Sequence, residues 1–336
     1  ELSTQAYPTK VVGDYVQYWL NDDGNYSIGT ASGVALTDGF PNDYDYGAST
    51  SSTLIRIDGC DYVFQNNHNL GLTSSTSMVI GTLGITSKMI DGVQVTQVLS
   101  LVAGPNGGDE KRFVKIGYLA RNTTGSAKTI GIRIKIDTQL GELDDQPFRV
   151  GAAEISCERE YSGNLVPRAF CSSASLAESN LMPVGYTYYP GDSRPSKVQF
   201  ANWSNLLMSG WDCELDPDTS LEYKTAVAVY FGEECVDAGQ MMQASAYYGA
   251  ADCVETAGPN PLVDEFNYGN NEYNEELALT CARYAALAYE NYRYKEDDEG
   301  NGYFCDVDKA GEDAKKRGVS SRLRRQLKED NYESQK

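Results

Sequence analysis

Isoleucine recurs at every second position from residue 130 to residue 136, and this alternation constrains the fold more than any other feature of the chain. Successive side chains of a β-strand point to opposite faces of a sheet, so a period of two indicates a strand with one apolar and one polar face. The pattern therefore predicts a strand over residues 127–137 with buried isoleucines. The residues on its other face are Thr129, Gly131, Arg133, Lys135 and Asp137.

A second alternating segment, residues 112–121, precedes this strand, and residues 122–126 between them have the composition of a turn. We expect these two strands to form a hairpin. Asp-Gly pairs at 23–24, 58–59 and 91–92 also lie between strand-like runs. Asp-Gly supplies the positive φ angles of a two-residue hairpin turn, so residues 54–57 are expected to pair with residues 62–64.

Further strands are predicted at residues 197–203, 225–231 and 240–248. Residues 10–250 then hold about a dozen or more strands, more than one twisted sheet carries before it splits into two packed layers. We therefore predict a mainly β fold, a large antiparallel two-sheet β-sandwich, for residues 1–252. The composition changes at residue 253, and residues 253–336 are predicted to form a C-terminal extension with one or two helices and a basic tail.

Cysteines and glycosylation motifs indicate an extracellular protein. The eight cysteines are even in number, widely spaced and without a Cys-X-X-Cys pair, so disulfide bonds are expected, with the connectivity left open. Three Asn-X-Ser/Thr motifs, at Asn25, Asn122 and Asn202, predict surface glycans. A signal peptide before Glu1 is expected, and no apolar run is long enough to span a membrane. The cysteines are Cys60, Cys157, Cys171, Cys213, Cys235, Cys253, Cys281 and Cys305.

The net charge of −20 argues against nucleic acid as a partner, because phosphates would be repelled, and it favours solubility and cation binding. Residues 309–328 differ from this acidic body, with eight basic residues against two acidic ones. Two interpretations stay open: a solvated, disordered end, or an arm that docks on the acidic face of another copy. The docking residues would be Lys315, Lys316, Arg317, Arg322, Arg324 and Arg325.

Two acidic segments are candidate calcium sites. Residues 297–308 match the spacing of an EF-hand loop, with Asp297, Glu299, Asn301, Tyr303 and Asp308 at ligand positions. Asp308 is shorter than the usual glutamate and Cys305 is a poor calcium ligand, so a solvated acidic loop or a disulfide at Cys305 are alternatives.

The second acidic segment follows the alternating strand and contains Asp137, Glu142, Asp144 and Asp145. Carboxylates this close repel one another unless a cation or hydrogen bonds neutralise them. A tight acidic turn with carboxylates accepting backbone N–H bonds, a calcium site and a pair of acid/base carboxylates are all compatible with the pattern.

No catalytic constellation is recognisable in the sequence. His68 is the single histidine, so a two-histidine metal site is excluded, and neither a nucleophile motif nor a glycine-rich phosphate loop is present. Aromatic residues, among them Trp203 and Trp211, suit stacking against sugar rings. Packing within the sheets and contacts between protein copies are the alternatives for these aromatic side chains.

Several sequence segments of the chain resemble segments of a group of uncharacterised secreted bacterial β-sandwich proteins. These segments are residues 25–30, 55–59, 95–97, 131–141 and 147–150, and two further similar segments are residues 200–203 and 247–249. The resemblance covers about residues 15–250 and implies a large two-sheet, mutarotase-like supersandwich. Mutarotase activity would imply a histidine pair with a glutamate. With His68 alone, that activity is not carried over, and the segment after Cys253 lies outside the resemblance.

Two functional hypotheses follow. The first is a secreted, glycosylated, non-enzymatic structural subunit of an extracellular filament or surface assembly, with the C-terminal extension joining copies of the protein. The alternative is an extracellular carbohydrate-binding or carbohydrate-active module that binds glycans. No cofactor is expected other than calcium in either case.

Overall fold

The computed structural model describes residues 8–40, 50–65, 76–105, 107, 109–151, 153–172, 182–221, 224–251, 295–296 and 302–303. Contacts divide the chain into two units, Glu1–Pro259 and Asn260–Lys336. The helices predicted near residues 274–294 and 309–318 lie outside the described residues, and the boundary at residue 252 stays a prediction. No helix among the described ranges is long and apolar enough to cross a membrane.

The first unit is an antiparallel β-sandwich, which confirms the predicted fold class. Its strands are β1 (Thr9–Val12), β2 (Val16–Leu20), β3 (Tyr26–Thr30), β4 (Ser52–Ile57), β5 (Cys60–Val63), β6 (Thr76–Ile80), β7 (Leu83–Ile90), β8 (Val93–Val102), β9 (Phe113–Asn122), β10 (Lys128–Asp137), β11 (Phe148–Val150), β12 (Ala153–Ile155), β13 (Arg159–Ser162), β14 (Ala169–Ser172), β15 (Met182–Tyr186), β16 (Lys197–Asn202), β17 (Thr225–Val236) and β18 (Met241–Ala251). A 3-10 turn covers Gly163–Leu165, and helix α1 covers Trp203–Met208.

Two large sheets form the layers. The nine-stranded sheet has the order β12-β11-β14-β15-β18-β9-β8-β7-β6, and the six-stranded sheet has the order β13-β16-β17-β10-β4-β5. A third sheet, β1-β2-β3, packs beside them, since Tyr18 donates a hydrogen bond to the carbonyl of Thr82 at 3.1 Å. The main core lies between the layers and contains Ile130, Ile132, Ile134 and Ile136, as the alternation predicts.

The hairpin turns at Asp58-Gly59 and Asp91-Gly92 are confirmed, and β4 pairs with β5 as expected. The hairpin predicted across residues 122–126 is wrong. Strand β9 pairs with β8 and β18, whereas β10 pairs with β4 and β17 in the other sheet. The amide of Asn122 donates to the carbonyls of Ser126 and Val236, so the segment bridges the layers instead of folding back within one.

A smaller second core covers the outer face of the six-stranded sheet. Helix α1 and the chain after it place Leu206, Trp211 and Cys213 on small residues of the sheet, among them Ala201 and Ala228. Gly131 of β10 is required there, because a Cβ atom would lie 2.4 Å from the Trp211 ring. This layer buries the polar face of β10.

In the second unit, Lys295–Glu296 (β19) pairs with Gly302–Tyr303 (β20) in an antiparallel ladder. The sequence pattern predicts the loop of an EF-hand, between two helices, at this place. These four residues lie outside both predicted helices, so the EF-hand interpretation stays a prediction.

Candidate active site

Three ionisable residues stand in a row on the outer face of β10. Arg133, Lys135 and Asp137 alternate with the core isoleucines, and they are 4%, 1% and 0% exposed. Charged side chains are almost never so deeply buried unless they are paired. The partners of each one therefore distinguish a structural role from a functional one.

Arg133 contacts the end of helix α1 and the two residues that follow it, although its Nε has no hydrogen-bond partner among the described residues. Its Nη1 donates to the carbonyls of Ser209, at 3.2 Å, and Gly210, and its Nη2 donates to the carbonyl of Leu206 at 2.8 Å. The end of a helix exposes unpaired carbonyls and negative potential, which a guanidinium satisfies. Arg133 therefore anchors α1, which begins at Trp203, to the sheet.

Lys135 lacks such partners. Its ammonium has no hydrogen bond among the described residues, and it lies 5.0 Å from the centre of the Trp203 ring. Burial lowers the pKa of Lys135 to about 8, the charge of Asp137 opposes this shift, and the charge of Arg133 adds to it. A measurable fraction of Lys135 is a neutral amine near pH 7 to 8.

Neither carboxylate oxygen of Asp137 has a hydrogen-bond partner within the part of the chain that the structure describes. Burial raises the pKa of Asp137 to about 7, and the nearby carboxylates of Asp38 and Asp144 raise it further, against the charge of Lys135. The hydroxyl of Thr50 also opposes the shift, but its hydrogen bond goes to Asp38 Oδ2 at 3.3 Å. Asp137 therefore changes protonation near neutral pH.

Lys224 forms the solvent-facing rim of the site. Its ammonium lies 3.0 Å from Asp38 Oδ2 and 3.4 Å from Asp144 Oδ2, and its side chain is 49% exposed. Its φ angle is +46°, outside any Asp-Gly turn, and the next residue, Thr225, donates its N–H to the carbonyl of Asp144 at 2.9 Å. A strained backbone at a non-glycine residue often marks a functional site.

The structure brings together two of the four acidic residues predicted for the second calcium site. Asp137 lies near Asp144, which pairs with Lys224, whereas Glu142 and Asp145 are exposed. The cation among these carboxylates is the Lys224 ammonium. No group of three or more His, Cys, Asp or Glu side chains in the described ranges has an arrangement that holds a metal ion.

Most residues of the EF-hand-like pattern lie in a part of the chain that the structure does not describe. Asp297, Glu299, Asn301 and Asp308 lie outside the described residues, and of Tyr303 only the backbone is described. His68 and the predicted docking residues also lie outside them, namely Lys315, Lys316, Arg317, Arg322, Arg324 and Arg325.

The two tryptophans proposed for sugar stacking have different environments. Trp211 is 7% exposed and packs on Gly131, with its ring edge-on to Tyr230 at 5.3 Å, so its faces are not accessible to a sugar. Trp203 is partly exposed and lies between two ammonium groups, with Lys224 at 5.8 Å from the ring centre. Only Trp203 belongs to the site.

A small pocket of about 10 Å³ lies at the same end of the sandwich, lined by Thr138, Gln146, Phe148, Phe170, Thr225 and Tyr248. Thr138 follows Asp137 directly, so its side chain points to the opposite face of the strand. The pocket therefore opens between the layers and not onto the row of charged residues.

The predicted glycosylation sites differ in accessibility. Asn122 is 0% exposed, and its Nδ2 donates both hydrogens, to Ser126 at 2.7 Å and Val236 at 2.9 Å. Asn25 donates to Asp23 at 2.6 Å and Asn202 donates to the carbonyl of Ser220 at 3.0 Å, and both are partly exposed. Surface glycosylation is therefore incompatible with the position of Asn122.

We expect the folded protein, secreted from a eukaryotic host, to carry no glycan at Asn122. A sugar on Nδ2 would remove one of the two donated hydrogens and place a bulky polar group between the layers. Peptide mapping by mass spectrometry after enzymatic deglycosylation measures the occupancy of each motif. Occupancy of Asn122 equal to that of Asn25 in the folded fraction would contradict this.

The cysteines of the described residues are not all paired, and the disulfide prediction for the whole chain stays a prediction. Cys171 is disulfide-bonded, whereas Cys60, Cys157, Cys213 and Cys235 are free thiols. Cys60 on β5 and Cys235 on β17 are three strand spacings apart, about 14 Å, which is too far for a bridge. The remaining cysteines, Cys253, Cys281 and Cys305, lie outside the described residues.

No protein-family model and no curated protein matches the chain. Among solved structures, a galactose mutarotase related enzyme from Lactobacillus acidophilus has a TM-score of 0.43 at 8% identity, over 72% of this chain and 97% of that one. A galactose mutarotase-like protein from Lactobacillus casei has a TM-score of 0.44 at 8% identity, over 72% and 99%. A heparan sulfate lyase mutant from Pedobacter heparinus has a TM-score of 0.37 at 9% identity, over 70% and 33%.

These similarities are at the level of the fold, and at such identities no residue role is carried over from them. With TM-scores below 0.5 they carry no argument about this chain, and the mutarotase-like form of the sandwich stays what the resemblance implied. The narrower resemblance to uncharacterised secreted bacterial proteins stays a prediction.

The expectation of a non-enzymatic filament subunit is wrong. The solved structures named above are described as mutarotase-related proteins and a heparan sulfate lyase, and none of the three is described as a filament subunit. The expectation depended on the missing histidine pair and on the basic tail. Neither excludes catalysis, because carboxyl groups and amines can transfer protons without a histidine.

Proposed function

We propose that the sandwich is a carbohydrate-active enzyme in which Asp137 and Lys135 exchange protons with a bound saccharide. The observation that carries the proposal is Asp137, a fully buried carboxyl group without a hydrogen-bond partner in the described residues and with a pKa raised to about 7. General acids and bases work best when their pKa lies near the working pH. An ordinary exposed aspartate is almost fully ionised at pH 7 and donates protons poorly.

The unsatisfied groups of the site suit the hydroxyls of a sugar. Asp137 and the Oδ1 of Asp144 offer acceptors, the ammonium of Lys135 offers donors, and all of these atoms are unpartnered among the described residues. Burying such groups without partners is costly. Because a hydroxyl both donates and accepts, one saccharide satisfies several of them together.

We propose that a saccharide approaches from the side of Lys224. The side chains of Asp38 and Asp144 are 21% and 26% exposed, so the acidic rim is in contact with solvent while Asp137 and Lys135 lie behind it. Trp203 is the aromatic side chain at this rim, and we propose that its exposed part contacts the C–H groups of the ring. The proposed partners are extracellular glycans, in agreement with the location that the sequence predicts.

Binding and turnover test the proposal separately. The wild-type protein is applied to a glycan array, and each saccharide that binds is then followed by proton NMR for bond cleavage or for exchange at the anomeric centre. Asp137→Asn is expected to lower turnover by about two to four orders of magnitude while binding persists, because it removes the proton-transfer group. Asp145→Asn, an exposed carboxylate of the neighbouring loop, is the matched control.

Two outcomes contradict the proposal. Absence of binding to any saccharide removes the substrate class. Turnover that is equal in the wild type and in Asp137→Asn removes the assigned acid/base residue.

A further inference from the structure

One glycine in the middle of a strand is not required by the fold of the chain itself. At the other described strand glycines of the first unit, a Cβ atom would lie less than 3.0 Å from a neighbouring atom, as at Gly185 beside the Phe170 ring. At Gly117 of β9 the nearest atoms would be 3.4 to 3.7 Å away, an ordinary contact distance, and its φ angle is not positive. Glycine weakens a strand, and it often marks a place where a ligand or another chain approaches closely. Gly117 therefore indicates a contact from outside the chain.

Gly117 lies on the outer face of the nine-stranded sheet. Core residues of β8 and β9, such as Val95 and Ile116, alternate with the residues of this face. Large apolar side chains on β6, β7 and β18 are 37% to 60% exposed there, namely Met78, Ile80, Leu83, Met89 and Met241. Exposed apolar side chains concentrated on one face mark an interaction site.

The strands of this face contribute no acidic side chain to it among the described residues, although the chain has a net charge of −20. The charged residues that β9 directs outward are Lys115 and Arg121, and Lys115 pairs at one end of the face with Asp192, at 3.4 Å. Two copies of an acidic protein meet most easily at such a face, because their carboxylates then stay outside the contact. A membrane of anionic lipids would be repelled by the rest of the protein, and the five exposed side chains are not the aromatic rings on which a sugar stacks.

Side-chain size changes in opposite directions along two adjacent rows of this face. One row of cross-strand neighbours crosses β6, β7, β8, β9 and β18 in the order Met78, Ile85, Val98, Gly117 and Ser245. Its side chains are large at β6 and small at β9 and β18. The adjacent row increases in size in the same direction, from Ser87 on β7 through Thr96 to Leu119 on β9. A half-turn about β8 therefore brings large side chains over small ones in both rows.

We infer that this face binds a second copy of the chain, with a two-fold axis along β8. A two-fold contact uses the same patch on both copies, so the patch must be complementary to itself. The half-turn places Met78 of one copy over Ser245 of the other. Ile85 then fills the space above Gly117, and Val98, on the axis, contacts its own counterpart. Strand directions in packed sheets stay within about 30° of each other, which this arrangement satisfies.

The size of the face predicts a weak dimer. Five strands about 4.8 Å apart, with about eight residues of about 3.3 Å each, cover roughly 600 Å² in projection, below the roughly 800 Å² per partner of a standard interface. Two molecules with a charge of −20 also repel each other. We therefore expect micromolar affinity and a dimer that becomes stronger as salt screens this repulsion.

Sedimentation equilibrium of the full chain at low and high salt tests the inference. Gly117→Val is expected to weaken dimerisation at least about tenfold, because it fills the space that Ile85 of the other copy needs. The same variant should be as resistant to urea as the wild type, since valine favours a strand and meets no close neighbour. Leu165→Glu, at an exposed apolar position of the 3-10 turn, is the control and should leave the dimer unchanged.

Two charged variants test the position of the axis. Val98→Glu and Val98→Lys should each be monomeric, because each places like charges against one another, and an equimolar mixture should restore the dimer. A wild type that is monomeric up to about 100 μM, or a dimer that Gly117→Val and Val98→Glu leave unchanged, overturns the inference. A mixture that stays monomeric overturns the axis along β8. A monomeric wild type that loses glycan-array binding or binding to phosphatidylcholine vesicles through Val98→Glu would assign the face to a saccharide or a membrane instead of a second copy.

Discussion

Replacing Asp137 by asparagine is expected to stabilise the protein at pH 8 by about 2 kcal/mol more than at pH 5. The pKa of Asp137 is raised to about 7 in the folded state, mainly by burial. The unfolded chain holds an ordinary aspartate, which ionises near pH 4. Stability supplied by the protonated carboxyl is thus present at low pH and is lost as the pH rises through 7, and asparagine has no such loss.

Urea denaturation at pH 5 and pH 8 measures this difference. Asp145→Asn is the control, because that carboxylate is exposed and should give no pH-dependent gain. An equal change for Asp137→Asn at both pH values would show that Asp137 is not a buried carboxyl with a raised pKa.

Lys135 has the opposite pH dependence. Its pKa is lowered to about 8 by burial, so the folded state prefers the neutral amine and gains stability as the pH rises from 8 towards the unfolded pKa near 10.4. Between pH 7 and 8 the ionised carboxylate of Asp137 and the ammonium of Lys135 therefore both lower the stability of the folded state. Residues that reduce stability at the working pH, in a well-packed sheet, are the pattern that functional sites show.

Local patterns in the sequence predict the strands well because their causes are local. The isoleucines of β10 follow a period of two, and the turns at residues 58–59 and 91–92 need the positive φ angles that Asp-Gly provides. The pairing of β9 is a different matter. A turn-like segment after a strand does not indicate whether the chain returns beside that strand or crosses to the other layer. The crossing is fixed by a hydrogen bond from the Asn122 side chain to the carbonyl of Val236, which lies 114 residues further along the chain.

The candidate site was only half predictable for a related reason. Asp137 and Asp144 are visible as an acidic cluster, but Lys135 lies on the polar face of a strand, which normally means a face in solvent. That face is buried because α1 and the residues after it, some 70 to 80 positions later, cover it. Lys224 joins the cluster from 80 residues beyond Asp144. No spacing rule connects such positions, because the sheet topology alone brings them together.

The contact between Arg133 and helix α1 supports the site, and breaking it should have a large effect. We expect Arg133→Met to lower the free energy of unfolding by about 3 kcal/mol. The substitution leaves the carbonyls of Leu206, Ser209 and Gly210 without their donor at the end of a helix, and this cost exceeds what is regained by no longer burying a guanidinium. Trp203 begins that helix, so saccharide binding should weaken in the same variant.

Urea denaturation followed by circular dichroism measures the loss, with Arg121→Met, at an exposed position of β9, as the matched control. Arg133→Lys is expected to lie between the wild type and Arg133→Met, because an ammonium keeps the charge but does not reach three carbonyls with the fixed fork of a guanidinium. A loss below about 0.5 kcal/mol for Arg133→Met, in the range of ordinary surface substitutions, would mean that the helix is held to the sheet by its apolar contacts alone. In that case none of the three charged residues on β10, Arg133, Lys135 and Asp137, would be explained by a structural role, and all three would need a functional explanation.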